Sequence, residues 1–405
     1  MRHRANRCAT LVISIAAVAA LVGCGSSSHS STSAAKSSTA AKATFNVLYI
    51  TGLSGPLQVY GEDGLKGLQA AANVLNASGG ILGHHIVVTS KDDDSTPANA
   101  VTELQAALSG STKPDAVIDG LTGDEGLAMA APLTAAHIIS MNLSALPSLD
   151  NPTKYPYQFA GLPGYASEGH AVVQGLSEHG IKSVAVLYPL DANGTEELQI
   201  FQPEFKAAGI TVTGSVGYPD AALNVTPEWL KAAATHPQGY VLITAGQAPV
   251  ALNSRAKAGI TAYTQCDTTC AANPLAKLVS HAGLVNAWTF NPPLLVTPPS
   301  QRTAAQKTFV AAITKLGFPP DLGVPSLEYD FLMALNEAAT QAKSVTEATL
   351  YNAFLNIHNP QAFASGMPIQ YSATDHYPVP NSDTSVWKLF PTTDSFVDDV
   401  YLPAK

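Results

Sequence analysis

Short apolar, β-rich runs alternate with amphipathic runs along most of the chain. Residues 45–50 (FNVLYI) form a compact apolar stretch bounded by Gly and Pro, the pattern of a buried strand. Leu65, Leu68, Ala72 and Leu75 then share one face of a helix predicted over 65–77 and closed by Gly79-Gly80. Strands are predicted at 85–90, 115–119 and 138–141, with helices over 97–108 and 126–136 between them. The rhythm restarts after Tyr165, with a helix to His179, a strand at 183–188 and a helix over 195–208. A strand at 210–216 follows, then a helix over 227–235 behind a Thr226 cap and a strand at 240–243. Three helix exits share one form, His179-Gly180-Ile181, Ala208-Gly209-Ile210 and Ala258-Gly259-Ile260, in which Gly takes a left-handed turn before a β-branched residue.

Alternating βα units with short connections build parallel sheets covered by helices. Two such runs predict an α/β protein of two Rossmann-like lobes. After residue 290 helices dominate, until aromatic strands near 386–390 and 396–401. Pro- or Gly-marked breaks at Leu162-Pro163, Asn291-Pro292 and Gly366 to Pro368 mark three crossovers of a hinge. This assigns 44–162 plus 291–365 to the first lobe and 163–290 plus 366–405 to the second.

The first 43 residues follow neither pattern. Arg2, Arg4 and Arg7 precede an apolar run at 11–22, interrupted only by Ser14. That run falls short of the roughly 20 residues that span a bilayer. It ends in Leu21-Val22-Gly23-Cys24, which resembles the lipobox of bacterial lipoproteins. The resemblance implies a signal peptide over 1–23, cleavage before Cys24, and acylation of that cysteine; an ordinary secretory signal with an incidental cysteine is the alternative. Of the 19 residues at 25–43, 15 are Ser, Thr or Ala, too little apolar surface to offset the entropy of ordering. They predict a disordered tether reaching at most about 65 Å, and an extracytoplasmic protein anchored to the membrane.

Composition narrows the function. With 46% hydrophobic and 13% charged residues, the remainder can build a large core. The formal charge of −9 becomes −12 once residues 1–23, with three Arg and no acid, are removed. No basic run follows residue 43, which argues against nucleic-acid binding. The chain holds no Gly-x-Ser-x-Gly elbow, no His-Glu-x-x-His pair and no phosphate loop, so an enzyme is disfavoured and no cofactor or metal is implied. Cys266 and Cys270 remain after processing, in a compartment that permits a disulfide if a turn brings them together.

Several motifs carry a family likeness. Gly52, Ser54-Gly55-Pro56 and Tyr60-Gly61 open the series, followed by Gly79-Gly80-Ile81 and Gly83, then Asp92-Asp93-Asp94 with Pro97. Ala131-Pro132, Ile138-Ile139-Ser140 and Tyr155-Pro156-Tyr157 complete it. The chain thereby resembles type I periplasmic binding proteins, in particular the leucine/isoleucine/valine-binding-like receptors of ABC transporters. The resemblance implies a monomeric two-lobed clamp that closes on a small solute, usually an amino acid or related amine, and delivers it to an ABC permease. A ligand-sensing lipoprotein without transport is the alternative, with a secreted hydrolase behind it.

Ligands of open parallel sheets bind at the carboxyl ends of the strands. That rule selects loops 51–60, 121–125 and 142–145 in the first lobe and 191–194, 245–247 and 265–268 in the second. Within those loops the resemblance implies an aromatic wall at Tyr60, carboxylate contacts at Gly123 and Ser144, side-chain contacts at Asn193 and Gln247, and an ammonium partner at Asp267. Tyr60 packing over its own loop and Ser144 capping the chain that follows are the blander readings. Asp124 and Glu125 depart from the family pattern: Asp124 either caps a helix beginning at Gly126 or faces the ligand. A Cys266–Cys270 disulfide is expected to shape the rim beside Asp267. The lipobox carries the first test. Cys24→Ser should leave an uncleaved, unacylated precursor on membrane fractionation and mass spectrometry, and a shortened species bearing acyl chains would refute the anchor.

Overall fold

The computed structural model describes residues 43–401 apart from 245, 272–274, 318–321, 360–362, 381–382, 384, 393–395 and 398–399. Cys24 and the tether lie outside the described residues.

The first lobe is built on β1 (Thr44–Thr51), α1 (Gln58–Ala77), β2 (His85–Asp92), α2 (Pro97–Ser109), β3 (Ala116–Asp119), α3 (Gly123–Ala136), β4 (Ile139–Asn142) and β5 (Gln158–Ala160). Its five strands are all parallel, in the order β2-β1-β3-β4-β5. The second lobe follows with α4 (Tyr165–Glu178), β6 (Ser183–Pro189), α5 (Ala192–Ala207), β7 (Thr211–Tyr218), α6 (Thr226–Ala233), β8 (Gly239–Leu242) and α7 (Ala248–Lys257). After β9 (Thr264–Cys266) come the single turns α8 (Leu275–Leu278) and α9 (His281–Leu284), and then β10 (Ala287–Asn291). The chain next supplies α10 (Ala304–Thr314), α11 (Gly323–Ala342) and α12 (Glu347–Phe354). A short ladder of β11 (His358–Asn359) with β12 (Ile369–Gln370) precedes β13 (Lys388–Pro391). The second sheet runs β13-β10-β9-β8-β6-β7, parallel except for β13 against β10. No helix among the described residues is long and apolar enough to cross a membrane.

The strands form where the apolar runs predict, because both faces of each sheet are covered: Val47, Tyr49 and Ile50 are all fully buried. The long helix α11 packs along α1. Gly180 and Gly209, at φ +68° and +69°, end α4 and α5 in the left-handed conformation that the exit motif requires.

Three helices begin earlier than periodicity predicts. α1 starts at Gln58, so Tyr60 lies on its first turn. α3 starts at Gly123 behind Thr122, whose hydroxyl accepts from the Glu125 amide while Glu125 reaches back to the Thr122 amide. This capping box corrects the expected start at Gly126 and the reading of Asp124 as its cap. α5 starts at Ala192 behind Asp191, which accepts from Gly194 at 2.7 Å. At α6 the cap position is Val225, not Thr226.

Several acids are buried within the lobes. Burial pushes Asp93 up to about 7, Asp330 to about 7 and Glu328 to about 8, while it pulls His376 down to about 4. A raised acid favours folding fully below its unfolded pKa near 4, and this contribution is lost as pH rises through 7 to 8. His376 acts oppositely, costing stability as pH falls below about 6.5. Thermal unfolding of the full chain should therefore give a Tm several degrees higher at pH 6 than at pH 8.5. A Tm that rises steadily over that interval would contradict the buried-acid assignment.

Candidate functional site

The strand-end loops of both sheets meet around a cavity of about 130 Å³. Leu57 just before α1, Tyr60 on its first turn, Leu121 and Thr122 after β3, and Leu143 to Ala145 after β4 form one wall. Asn193 and Glu197 of α5, Gly246, Asp267 to Thr269 and Asn291 form the other. Leu162, Tyr165 and Glu168 close the floor where the chain crosses between sheets, and Gly323, Val324 and Leu327 of α11 complete it. Apolar walls with few polar groups are the usual construction of a small-molecule site.

Helix geometry explains which side chains arrive together. Asn193 and Glu197 are four residues apart on α5, and Tyr165 and Glu168 three apart on α4, so each pair shares a helix face. On α4 that face continues through Val172 and Leu176, both fully buried. Glu168 is thus an acid set within an apolar stripe.

Three carboxylates line this cavity, and no Lys, Arg or His does among the described residues. They are not equivalent. Asp267 Oδ2 accepts from the Thr244 amide at 2.7 Å. Its Oδ1 accepts from the Thr269 hydroxyl at 2.6 Å and amide at 3.1 Å, and from the Thr244 hydroxyl at 3.1 Å. Glu168 and Glu197, 2% and 3% exposed, accept no hydrogen bond among the described residues, and Glu197 Oε1 is fully enclosed. Burial raises both carboxyls well above the usual range, and Asp267 raises them further. Asp267 is raised too, by burial, but its hydroxyl and amide donors pull it back.

Asn193 bridges the two walls. Its Oδ1 accepts from the Ser144 hydroxyl at 2.8 Å, the Tyr165 hydroxyl at 3.1 Å and the Gly123 amide at 3.2 Å. A Cβ at Gly123 would stand 2.5 Å from that oxygen and 2.9 Å from Ser144 Oγ, so only glycine permits the approach. Beside it, Glu196 accepts from the Ser148 amide at 3.0 Å, and Asp124 from the Ala192 amide.

Of the residues selected from sequence, Tyr60, Ser144, Asn193 and Asp267 line the cavity. Gly123 stands behind Asn193. Asp124 lies outside the lining, half-buried at the start of α3, where it meets the start of α5. Gln247 is also outside: it holds the cap position of α7 and donates to Asp220 at 3.3 Å, while its neighbour Gly246 faces the cavity against Leu57. Cys266 and Cys270 are free thiols rather than a disulfide. Both are buried in the apolar core of the second lobe with Leu275, Val279 and Leu284, where they pack under the loop instead of stapling its rim. Sequence reasoning missed Glu168, Glu197 and Tyr165. The available signal was an acid or a phenol at helical spacing within a buried stripe. No group of three or more His, Cys, Asp or Glu side chains is arranged to hold a metal among the described residues.

Comparison with known proteins places the fold. The family profile described as periplasmic binding protein matches residues 44–388. No curated protein matches the chain. Among solved structures, a type 1 periplasmic binding protein from Bordetella pertussis Tohama I superposes with a TM-score of 0.76 at 18% identity, covering 86% of this chain and 96% of its own. A leucine-binding protein from Thermotoga maritima gives 0.72 at 18%, covering 82% and 93%. A branched-chain amino acid transporter substrate-binding protein from Streptococcus pneumoniae, in complex with isoleucine, gives 0.72 at 18%, covering 86% and 99%. With the two-lobed parallel architecture and a cleft at the strand ends, the chain belongs to the periplasmic binding protein family and has the type I fold of its leucine- and branched-chain-amino-acid-binding members.

Proposed function

We infer that this protein is an extracytoplasmic receptor, held to the membrane through Cys24, that captures a small cationic solute between its lobes for an ABC permease. The observation that carries the cationic part is the pair of buried carboxylates Glu168 and Glu197, which accept no hydrogen bond among the described residues, in a cavity that no described Lys, Arg or His lines. An ionised carboxylate taken out of water is costly unless a cation or several donors meet it. Asp267 has its donors already, so the ammonium partner expected of it is reassigned to the two glutamates. Asp267 then contributes its field rather than a contact. An aliphatic amino acid, as in the leucine-binding relative, would fill the apolar wall formed by Leu57, Leu143, Leu162 and Leu327. It would leave one of the two glutamates unmatched, which favours an amine or guanidinium group on the solute.

The test is isothermal titration of the full-length chain in detergent with agmatine, cadaverine, lysine, leucine and a neutral sugar. Agmatine or cadaverine should bind, and Glu168→Gln or Glu197→Gln should each weaken that binding tenfold or more, about 1.4 kcal/mol. Equal binding by parent and both variants would refute the pair as a cation site.

A pH dependence follows from the same geometry. Burial and the Asp267 charge raise the pKa of both glutamates, so binding of a cation is linked to loss of a proton. Affinity for the cation should rise between pH 5 and pH 8, with proton release seen as a dependence of the binding heat on buffer ionisation enthalpy. Affinity that falls over this range would count against protonated glutamates.

A further inference from the structure

Three donors converge on one point of the cavity wall. The Gly123 amide at the start of α3, the Ser144 hydroxyl after β4 and the Tyr165 hydroxyl at the start of α4 all address a single oxygen, at 3.2, 2.8 and 3.1 Å. Backbone N–H at a helix start together with two hydroxyls makes a cage suited to a carboxylate oxygen. The oxygen in it belongs to the protein: it is Oδ1 of Asn193, which reaches across from the opposite lobe. The Nδ2 of the same amide is buried without a partner among the described residues, so the side chain presents a donor, not an acceptor, to whatever lies beside it.

We propose that Asn193 is the specificity-determining residue that excludes a carboxylate, so that the solute is an amine or guanidine lacking a carboxylate group. This rests on the reading of Glu168 and Glu197 as the cation site. With Asn193 seated, an anionic end finds its donors taken. Displacing the amide would also bring that anion among Glu168, Glu197 and Asp267, with no basic side chain among the described lining residues to compensate. A cation without an anionic group, whether its other end is apolar or a second amine, meets neither obstacle. It can face the glutamates, and any neutral acceptor it carries can accept from Nδ2. The amide does this without charge, where an Asp at 193 would add a fourth carboxylate.

Matched probes that differ by one carboxylate test this directly: cadaverine against lysine, agmatine against arginine, and isoamylamine against leucine. They are titrated into the full-length chain in detergent at pH 7.5. In every pair that binds, the amine should bind the parent at least tenfold tighter than its amino acid. Asn193→Ala, which empties the cage and frees the Gly123 and Ser144 donors, should narrow that ratio at least fivefold by admitting the amino acid. An amino acid that binds the parent as tightly as its amine overturns the proposal while leaving the cation site standing. A ratio unmoved in an Asn193→Ala protein that still binds the amine also overturns it. No binding by any of the six probes overturns the cation reading and this inference with it. Should Asn193→Ala fail to fold, the ratio measured on the parent still decides.

Discussion

A carboxylate moved from water to a protein interior loses hydration worth several kcal/mol, and the cost must be met locally by donors or a counter-charge. Several buried acids in this molecule meet it with backbone amides, whereas both carboxylate oxygens of Asp150 lack a partner among the described residues. Asp330 takes the Ala364 and Ser365 amides at 2.6 and 3.0 Å, and so ties α11 to the returning chain. Glu125 takes the Leu121 and Thr122 amides and so fixes the start of α3. Asp267 takes two threonines. Among the described residues, Glu168 and Glu197 are the acids that face the cavity with no donor, and they do so from two helices whose starts frame it. The disposition of α4 and α5 therefore carries an unmet electrostatic demand to the cavity between the strand ends of the two sheets.

Much of this was legible in the chain. Apolar runs such as 45–50 marked the strands because sheets covered on both faces need uninterrupted apolar residues. The strand-end rule then selected loops that all contribute to the cavity lining. Helix starts were harder to read. Thr122 and Glu125 spell a capping box, yet the periodic signal begins later, and Gly123 looks like a loop residue when hydrogen bonds across the lobes are not visible. Glu168 and Glu197 were passed over for a related reason. A charge on a helix is normally on its wet face, and only the register of Tyr165, Val172 and Leu176 reveals that Glu168 is not. Cys266 and Cys270 show the converse: their spacing invited a bridge, while burial makes them ordinary apolar packing.

The lobes touch through side chains that belong to opposite sheets, and this links binding to motion. The Asn193 bonds to Gly123 and Ser144, and the Glu196 bond to Ser148, exist only while α5 lies against the loops after β3 and β4. Opening the cleft would return these groups to water, where each bond is worth only about 1 kcal/mol net. It would also rehydrate Glu168 and Glu197, whose raised pKa values report the cost of burying their charges. The latch and the two buried acids thus act in opposite directions on closure. A solute shifts such an equilibrium only by the difference in its affinity for the two states. A cation placed between the glutamates supplies that difference, because it removes the one term that opposes closure and leaves the Asn193 latch intact. A neutral solute of the same shape would fill the apolar wall without relieving the charge. On the proposed cation reading, the same two residues would govern both which solutes enter and whether the lobes stay closed on them.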